Sequence, residues 1–179
     1  PGTPLPHPLF WTAKRFCFDA FLAKKFDKRY ADFRQGVKVE HIQKDGNEWR
    51  VLATTPSDLE IRASLIIGAD GDHSVLLRHL GERKIDRRHY AGTLRQYWRG
   101  VADIHPKNLI EVYFPPGLPM SYFYIFPLAN GEANVGYGMV SEVAAKGRHK
   151  LRDIFERLIR EDPVMAPRFQ RAESLEEPV

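Results

Sequence analysis

Five residues in one short stretch have the types and spacing to do chemistry. They are Gly68, Asp70, Gly71, Ser74 and Arg78, in the run Leu65-Ile66-Ile67-Gly68-Ala69-Asp70-Gly71-Asp72-His73-Ser74-Val75-Leu76-Leu77-Arg78. An apolar run breaks at two glycines that bracket an acid, and apolar residues then return at Val75, Leu76, Leu77 and Leu80 with helical spacing. The pattern predicts a strand, a tight turn and a helix. Gly68 and Gly71 tolerate positive φ and let bare backbone approach a ligand, while the amides at the helix start make an electropositive pocket. Such a turn suits an anion such as a pyrophosphate. Asp70 would repel a phosphate in direct contact, so its expected partner is a hydroxyl, a backbone amide or a bound water of the same ligand. Ser74 is placed either to cap the helix or to bond that ligand. An ordinary strand-to-helix connection, with the glycines serving only the turn, accounts for the same spacing.

A second stretch is Pro119-Met120-Ser121-Tyr122-Phe123-Tyr124-Ile125-Phe126-Pro127. Strand alternation puts Tyr122, Tyr124 and Phe126 on one face, and Met120 belongs with them, giving a continuous aromatic wall. After Pro127, eight residues bring Gly136-Tyr137-Gly138, where missing side chains leave room beside a ligand or a closely packed strand. Aromatic residues are good sheet formers, so the alternative to a binding wall is plain core.

Several elements must position these stretches. A proline-rich segment, Pro1 to Pro8, and the apolar entry Leu9-Phe10-Trp11 lead to a helix expected from Asp19 to about Phe33 on the spacing of Phe18, Phe21, Leu22, Phe26, Tyr30 and Phe33. Val37 to Ile42, Trp49 to Ala53 and Leu59 to Ile67 read as three strands of a meander that delivers the chain into the Asp-Gly turn. Glu82 to Tyr90 is highly charged and reads as a linker between lobes. Beyond it, Thr93 to Asp103, Leu109 to Phe114, Met120 to Pro127 and Glu132 to Val140 make four strands of an antiparallel sheet. Ser141 starts a last long helix, with Gly147 as an interruption and Pro163 and Pro167 ending it, and the tail to Val179 shows no element of its own.

Composition narrows the function classes. At 179 residues the chain is long enough for a sizeable core, and 43% hydrophobic with 28% charged residues is ordinary for a globular protein. The net charge of +4 is spread over short basic pairs interleaved with acids, so no nucleic-acid partner is expected. Cys17 is the only cysteine and His41 has no second ligand at metal spacing, so neither a disulfide nor a metal site is expected. No apolar stretch approaches the roughly 20 residues needed to span a bilayer. The expected compartment is the cytoplasm, with peripheral membrane contact left open.

Gly-Ala-Asp-Gly-x-x-Ser-x-x-x-Arg, from Gly68 to Arg78, resembles the second fingerprint of the FAD-dependent oxidoreductases that include aromatic-ring hydroxylases, flavin halogenases and geranylgeranyl reductases. The spacing of Ser74 and Arg78 looks more like the reductase and halogenase branches. Pro-x-x-Tyr-x-aromatic-x-Phe-Pro, eight residues, then Gly-x-Gly is similar to the substrate-cavity motif of the geranylgeranyl reductases, which usually carry tryptophan where this chain has Tyr124.

The resemblance implies a mixed α/β fold. Residues 1–81 would form part of an FAD-binding lobe with a three-stranded meander, and residues 82–179 an antiparallel-sheet substrate lobe with a helix. It implies FAD as cofactor, met by Arg15, Asp70, Gly71 and Ser74. Arg15 matches the superfamily's arginine ahead of a helix, through Phe18, Asp19 and Leu22, and a surface arginine paired with an acid is its alternative. The substrate wall would be Tyr122, Tyr124, Phe126, Gly136 and Gly138, holding an isoprenoid or other apolar small molecule. The implied activity is reduction of isoprenoid carbon-carbon double bonds with NAD(P)H or another reductant as electron donor. A flavin-dependent monooxygenase or halogenase and a non-enzymatic lipid-binding domain are the rivals. The chain holds no Gly-x-Gly-x-x-Gly turn, so it is expected to be an internal fragment that by itself neither binds FAD stably nor turns over.

Overall fold

The computed structural model describes residues 11–55, 58–81, 85–148 and 150–179. The proline-rich start, the middle of the turn after the second strand and the first part of the charged run therefore lie outside the described residues. The chain is a mixture of helices and strands, as the expected fold class requires. In order they are α1 (Arg15–Lys24), β1 (Lys38–Asp45), β2 (Glu48–Thr55), β3 (Leu59–Ala63), α2 (Val75–Leu80), β4 (Ala91–Arg99), β5 (Glu111–Tyr113), β6 (Ser121–Pro127), β7 (Glu132–Val140), α3 (Ser141–Lys146), α4 (Leu151–Glu161), α5 (Ala166–Phe169) and β8 (Glu173–Ser174). Two compact units result: one takes the described residues up to Ala23 together with Asp86–Val179, the other Lys24–Ile85.

The larger unit is built on a five-stranded antiparallel sheet in the order β5-β6-β7-β4-β8. Its inner face is apolar because Phe123 and Ile125 of β6, and Ala133, Val135, Tyr137 and Met139 of β7, alternate toward α4. Ile154, Phe155 and Leu158 of α4 close the core from the other side, with Met165 and Phe169 beside them. Phe123 stacks on Phe155 at 5.8 Å between ring centres and meets Phe169 edge-on at 6.1 Å. Gly147 follows α3 as its cap, so the last long helix is two helices. Asp162, extended ahead of Pro163, ends α4, whereas Pro167 lies at the start of α5 and opens a helix rather than closing one.

The tail does form structure, contrary to the expectation from its sequence. β8 pairs with the end of β4, and the chain continues alongside β4 with Leu175 N–H donating to Tyr97 O and a reciprocal pair of bonds between Arg95 and Val179. The ladder bonds join backbone groups, with Arg95 and Gln96 of β4 adding side-chain bonds to Glu176, and the side chains of Leu175-Glu176-Glu177-Pro178-Val179 give no strand signal.

The smaller unit is the expected meander, β1-β2-β3, with α2 following it. Its turn at Gly46 has φ +60. The described residues give it little buried core, chiefly Ile42 and Ala53. A bidentate pair between Arg50 and Glu60, at 3.0 and 2.7 Å, ties β2 to β3 on an exposed face.

Two helix and strand expectations fail for one reason. Leu65-Ile66-Ile67 is not a strand: β3 ends at Ala63, and Leu65 and Ile67 are exposed. An apolar run of that kind suits a strand buried on both faces, and among the described residues no strand pairs with it. The helix expected to reach Phe33 starts earlier, at Arg15, and stops at Lys24. None of its residues is buried, so packing does not extend it, and the Asp27 carboxylate takes the Arg29 N–H at 3.0 Å to form a competing turn.

Candidate functional site

The Asp-Gly turn belongs to the smaller unit and is built by its own side chains. Gly71 has φ +71 and a Cβ there would meet nothing within 4 Å, so its backbone stands open. Gly68 lies close against α2: a Cβ would come within 2.8 Å of Leu76 Cδ2, which would have to shift. Asp70 Oδ2 accepts the Val75 N–H at 2.7 Å, and Ser74 Oγ accepts the Leu77 N–H at 3.1 Å. Asp70 therefore finds its amide in its own helix. The Ser74 hydroxyl and then the Val75 amide hold its carboxyl below the usual carboxylate range, so it stays ionised. Ser74 is buried and caps α2, while the turn residues 69–73 remain exposed. Replacing Ser74 by alanine is expected to cost about 1 kcal/mol of stability, read from the urea midpoint. The same change should move the Asp70 carboxyl up toward its ordinary range, measured by NMR titration.

Arg15 lies in the larger unit, as the first residue of α1. Its guanidinium pairs with Asp19 one turn on, at 3.1 Å, and is largely exposed. Its N–H donates to Tyr97 Oη at 3.0 Å, and Thr12 Oγ1 donates to Pro127 O at 2.6 Å, so the start of α1 is fastened to the sheet.

The aromatic wall forms on the outer face of that sheet, opposite α4. Along β6, Ser121, Phe123, Ile125 and Pro127 are buried, while Tyr122, Tyr124 and Phe126 face the other way. Their rings make a ladder, 6.1 Å from Tyr122 to Tyr124 and 4.4 Å from Tyr124 to Phe126. Met120 does not share the strand: it precedes β6 with φ +53 and is exposed.

Register explains the glycines. Tyr124 lies opposite Gly136 and Tyr122 opposite Gly138. A Cβ at Gly136 would overlap Cζ and Oη of Tyr124, and one at Gly138 would sit 3.2 Å from Cε1 of Tyr122. The space left by both glycines is thus filled by the tyrosine rings of the neighbouring strand.

Register also adds residues that spacing alone did not single out. On β4, Thr93, Arg95 and Tyr97 lie opposite Gly138, Gly136 and Asn134, on the wall face. Arg95 stacks over the Tyr97 ring at 4.7 Å and pairs with Glu176 of the tail at 2.6 Å. Asn134 Oδ1, between Phe126 and Tyr97 in the ladder, is buried with no hydrogen-bond partner among the described residues. Two cavities in this unit lie away from the wall. One of about 300 Å³ lies between residues 115–118 and α4, and one of about 190 Å³ beside Glu111, Tyr113 and Arg168.

An open Gly71 backbone beside an ionised acid, and separately an aromatic face on a sheet, form the pair of features that the sequence motifs pointed to. Comparison with known proteins supplies the rest. The digeranylgeranylglycerophospholipid reductase of Methanosarcina acetivorans is 31% identical over 139 residues, which is 76% of this chain and 34% of that protein. By sequence the chain is a relative of the geranylgeranyl reductases. A menaquinone reductase of Mycobacterium tuberculosis is 32% identical over 109 residues, 59% of this chain and 27% of that protein. The chain thus spans about a third of the length, or less, of these relatives. No protein-family model matches it.

Solved structures agree on the fold. A flavin-dependent brominase superposes with a TM-score of 0.75 at 17% identity, covering 94% of this chain and 44% of that one. A flavoprotein/dehydrogenase from Cytophaga hutchinsonii gives 0.70 at 24% identity, covering 95% and 42%. A halogenase solved with phloroglucinol and FAD gives 0.65 at 18% identity, covering 91% and 35%. Among the described residues, no helix is long and apolar enough to cross a membrane.

Proposed function

We propose that these residues are part of an FAD-dependent reductase that saturates carbon-carbon double bonds of an isoprenoid chain, with residues 1–81 contributing to the cofactor lobe and 82–179 forming the substrate lobe. The observation that carries the reading is the wall. The segment that is similar to the reductases' cavity motif folds into an unbroken aromatic ladder seated on glycines, facing away from the core. A flat, apolar, ring-lined face suits a flexible hydrocarbon chain because it removes apolar surface from water without asking for hydrogen bonds.

The turn at Asp70 fits a cofactor contact through Gly71, whose left-handed backbone has open space before it. Asp70 and Ser74 hold that turn in shape, and Arg15, exposed at its guanidinium, supplies a cation suited to phosphate oxygens. FAD held there would supply hydride-transfer chemistry toward an alkene, with NAD(P)H or another reductant as the electron source. The chain's own residues orient the substrate and keep water off it. Likeness to halogenases extends to the fold, at 17–18% identity, whereas sequence similarity runs to the reductases.

Oxygen separates the two chemistries. The FAD-loaded protein carrying these residues, reduced without air and mixed with a geranylgeranyl lipid, is expected to reoxidise its flavin and yield the saturated product. A strict need for oxygen would overturn the reading.

A further inference from the structure

One row of the wall crosses three strands: Tyr124 on β6, Gly136 on β7 and Arg95 on β4. Neighbouring strands are about 4.8 Å apart, and Gly136 has no side chain, so the Tyr124 ring lies across β7 with its hydroxyl over the glycine. That hydroxyl finds no hydrogen-bond partner among the described residues, on a face that carries the rings of β6 and Tyr97 together with Thr93, Arg95 and Asn134. Burial pushes its phenol above the ordinary range, so it remains a proton donor at neutral pH.

Charge around the row is balanced. Arg95 is paired with Glu176 at 2.6 Å and Lys14 with Glu132 at 2.5 Å. A diphosphate would need cations left unpaired, whereas a neutral acceptor oxygen needs only the phenol O–H.

We propose that Tyr124 is a specificity-determining residue whose hydroxyl donates a hydrogen bond to a neutral oxygen on the apolar ligand, of the kind a prenylated quinone carries as a carbonyl. The proposal rests on the reading of the wall as a prenyl-binding face. It assigns the hydroxyl to choosing the head group, and leaves the rings to hold the chain.

The test measures equilibrium binding to the FAD-loaded protein carrying these residues, for wild type and Tyr124→Phe. The probes share one geranylgeranyl chain in the same detergent: a geranylgeranylated benzoquinone, geranylgeranyl diphosphate and the plain hydrocarbon. Phenylalanine keeps the ring on its glycine seat, so the fold and the wall persist. The quinone is expected to bind more tightly than the diphosphate. Tyr124→Phe is expected to weaken the quinone about fivefold, the change expected from one hydrogen bond of about 1 kcal/mol, and to leave the hydrocarbon within about twofold. Equal weakening of all three probes, or tighter binding of the diphosphate, would overturn the role of Tyr124 alone. Failure of every prenyl probe to bind the flavin-loaded protein would overturn the prenyl-binding reading and this inference with it.

Discussion

Replacing Arg168 by alanine is expected to lower the stability of the protein by about 3 kcal/mol. The guanidinium is nearly buried and its bonds go to one carboxylate and two backbone carbonyls. Nε donates to Ala102 O at 3.0 Å, Nη2 to Asp103 O at 3.1 Å, and the two Nη atoms grip Glu111 at 2.7 and 3.0 Å. Truncation strands a carboxylate and two carbonyls, and loses the packing of the stem as well. Glu111 is partly exposed, which lets water recover some of the cost and keeps the figure at the low end of what breaking a buried pair produces. The damage spreads to the wall, since Glu111 belongs to β5 and β5 covers the edge of β6. Urea unfolding should show the lost stability, and Arg168→Met with Glu111→Leu should restore most of it because no charge is then left unpaired. A cost below 1 kcal/mol for Arg168→Ala would mean that the clamp is incidental.

The second large effect is expected at Gly136. Valine there places its side chain where the Tyr124 ring already lies. The ring must leave, breaking its 4.4 Å contact with Phe126, or the strands must part. Overpacking of this kind costs about 1–3 kcal/mol, partly offset by the better strand propensity of valine. The functional loss should be larger than the structural one, because the ladder is interrupted at its middle rung. Tyr124→Ala in the same chain removes the clash, so a double-mutant cycle should show strong coupling between the two positions. Additive effects would mean that the glycine is not a seat for the ring.

Legibility from sequence followed the range of the interactions. The turn at Gly68 to Ser74 was readable because glycines, an acid and a capping serine act within a few residues, and it folds as the spacing requires. Alternation in β6 was readable for the same reason, since it is a property of the strand itself. Leu65-Ile66-Ile67 and the segment after Lys24 misled because a propensity for strand or helix is realised only against a partner, and the described residues provide none. The pairing of the tail with β4 has no residue signature because its ladder runs through backbone groups.

By itself the sequence determined which residues share a face, where the chain must turn, and that aromatic rings and two glycines would sit near one another in the chain's order. Only the tertiary structure decided that Gly136 and Gly138 are filled by Tyr124 and Tyr122, and that Arg95 and Glu176 meet beside that row. Faces are set by a period of two residues, which is local. Register across β6, β7 and β4 joins residues from 6 positions apart, Pro127 and Ala133, to 49 apart, Ala91 and Val140, and it is fixed by burying one whole face against α4 rather than by any residue the strands hold in common.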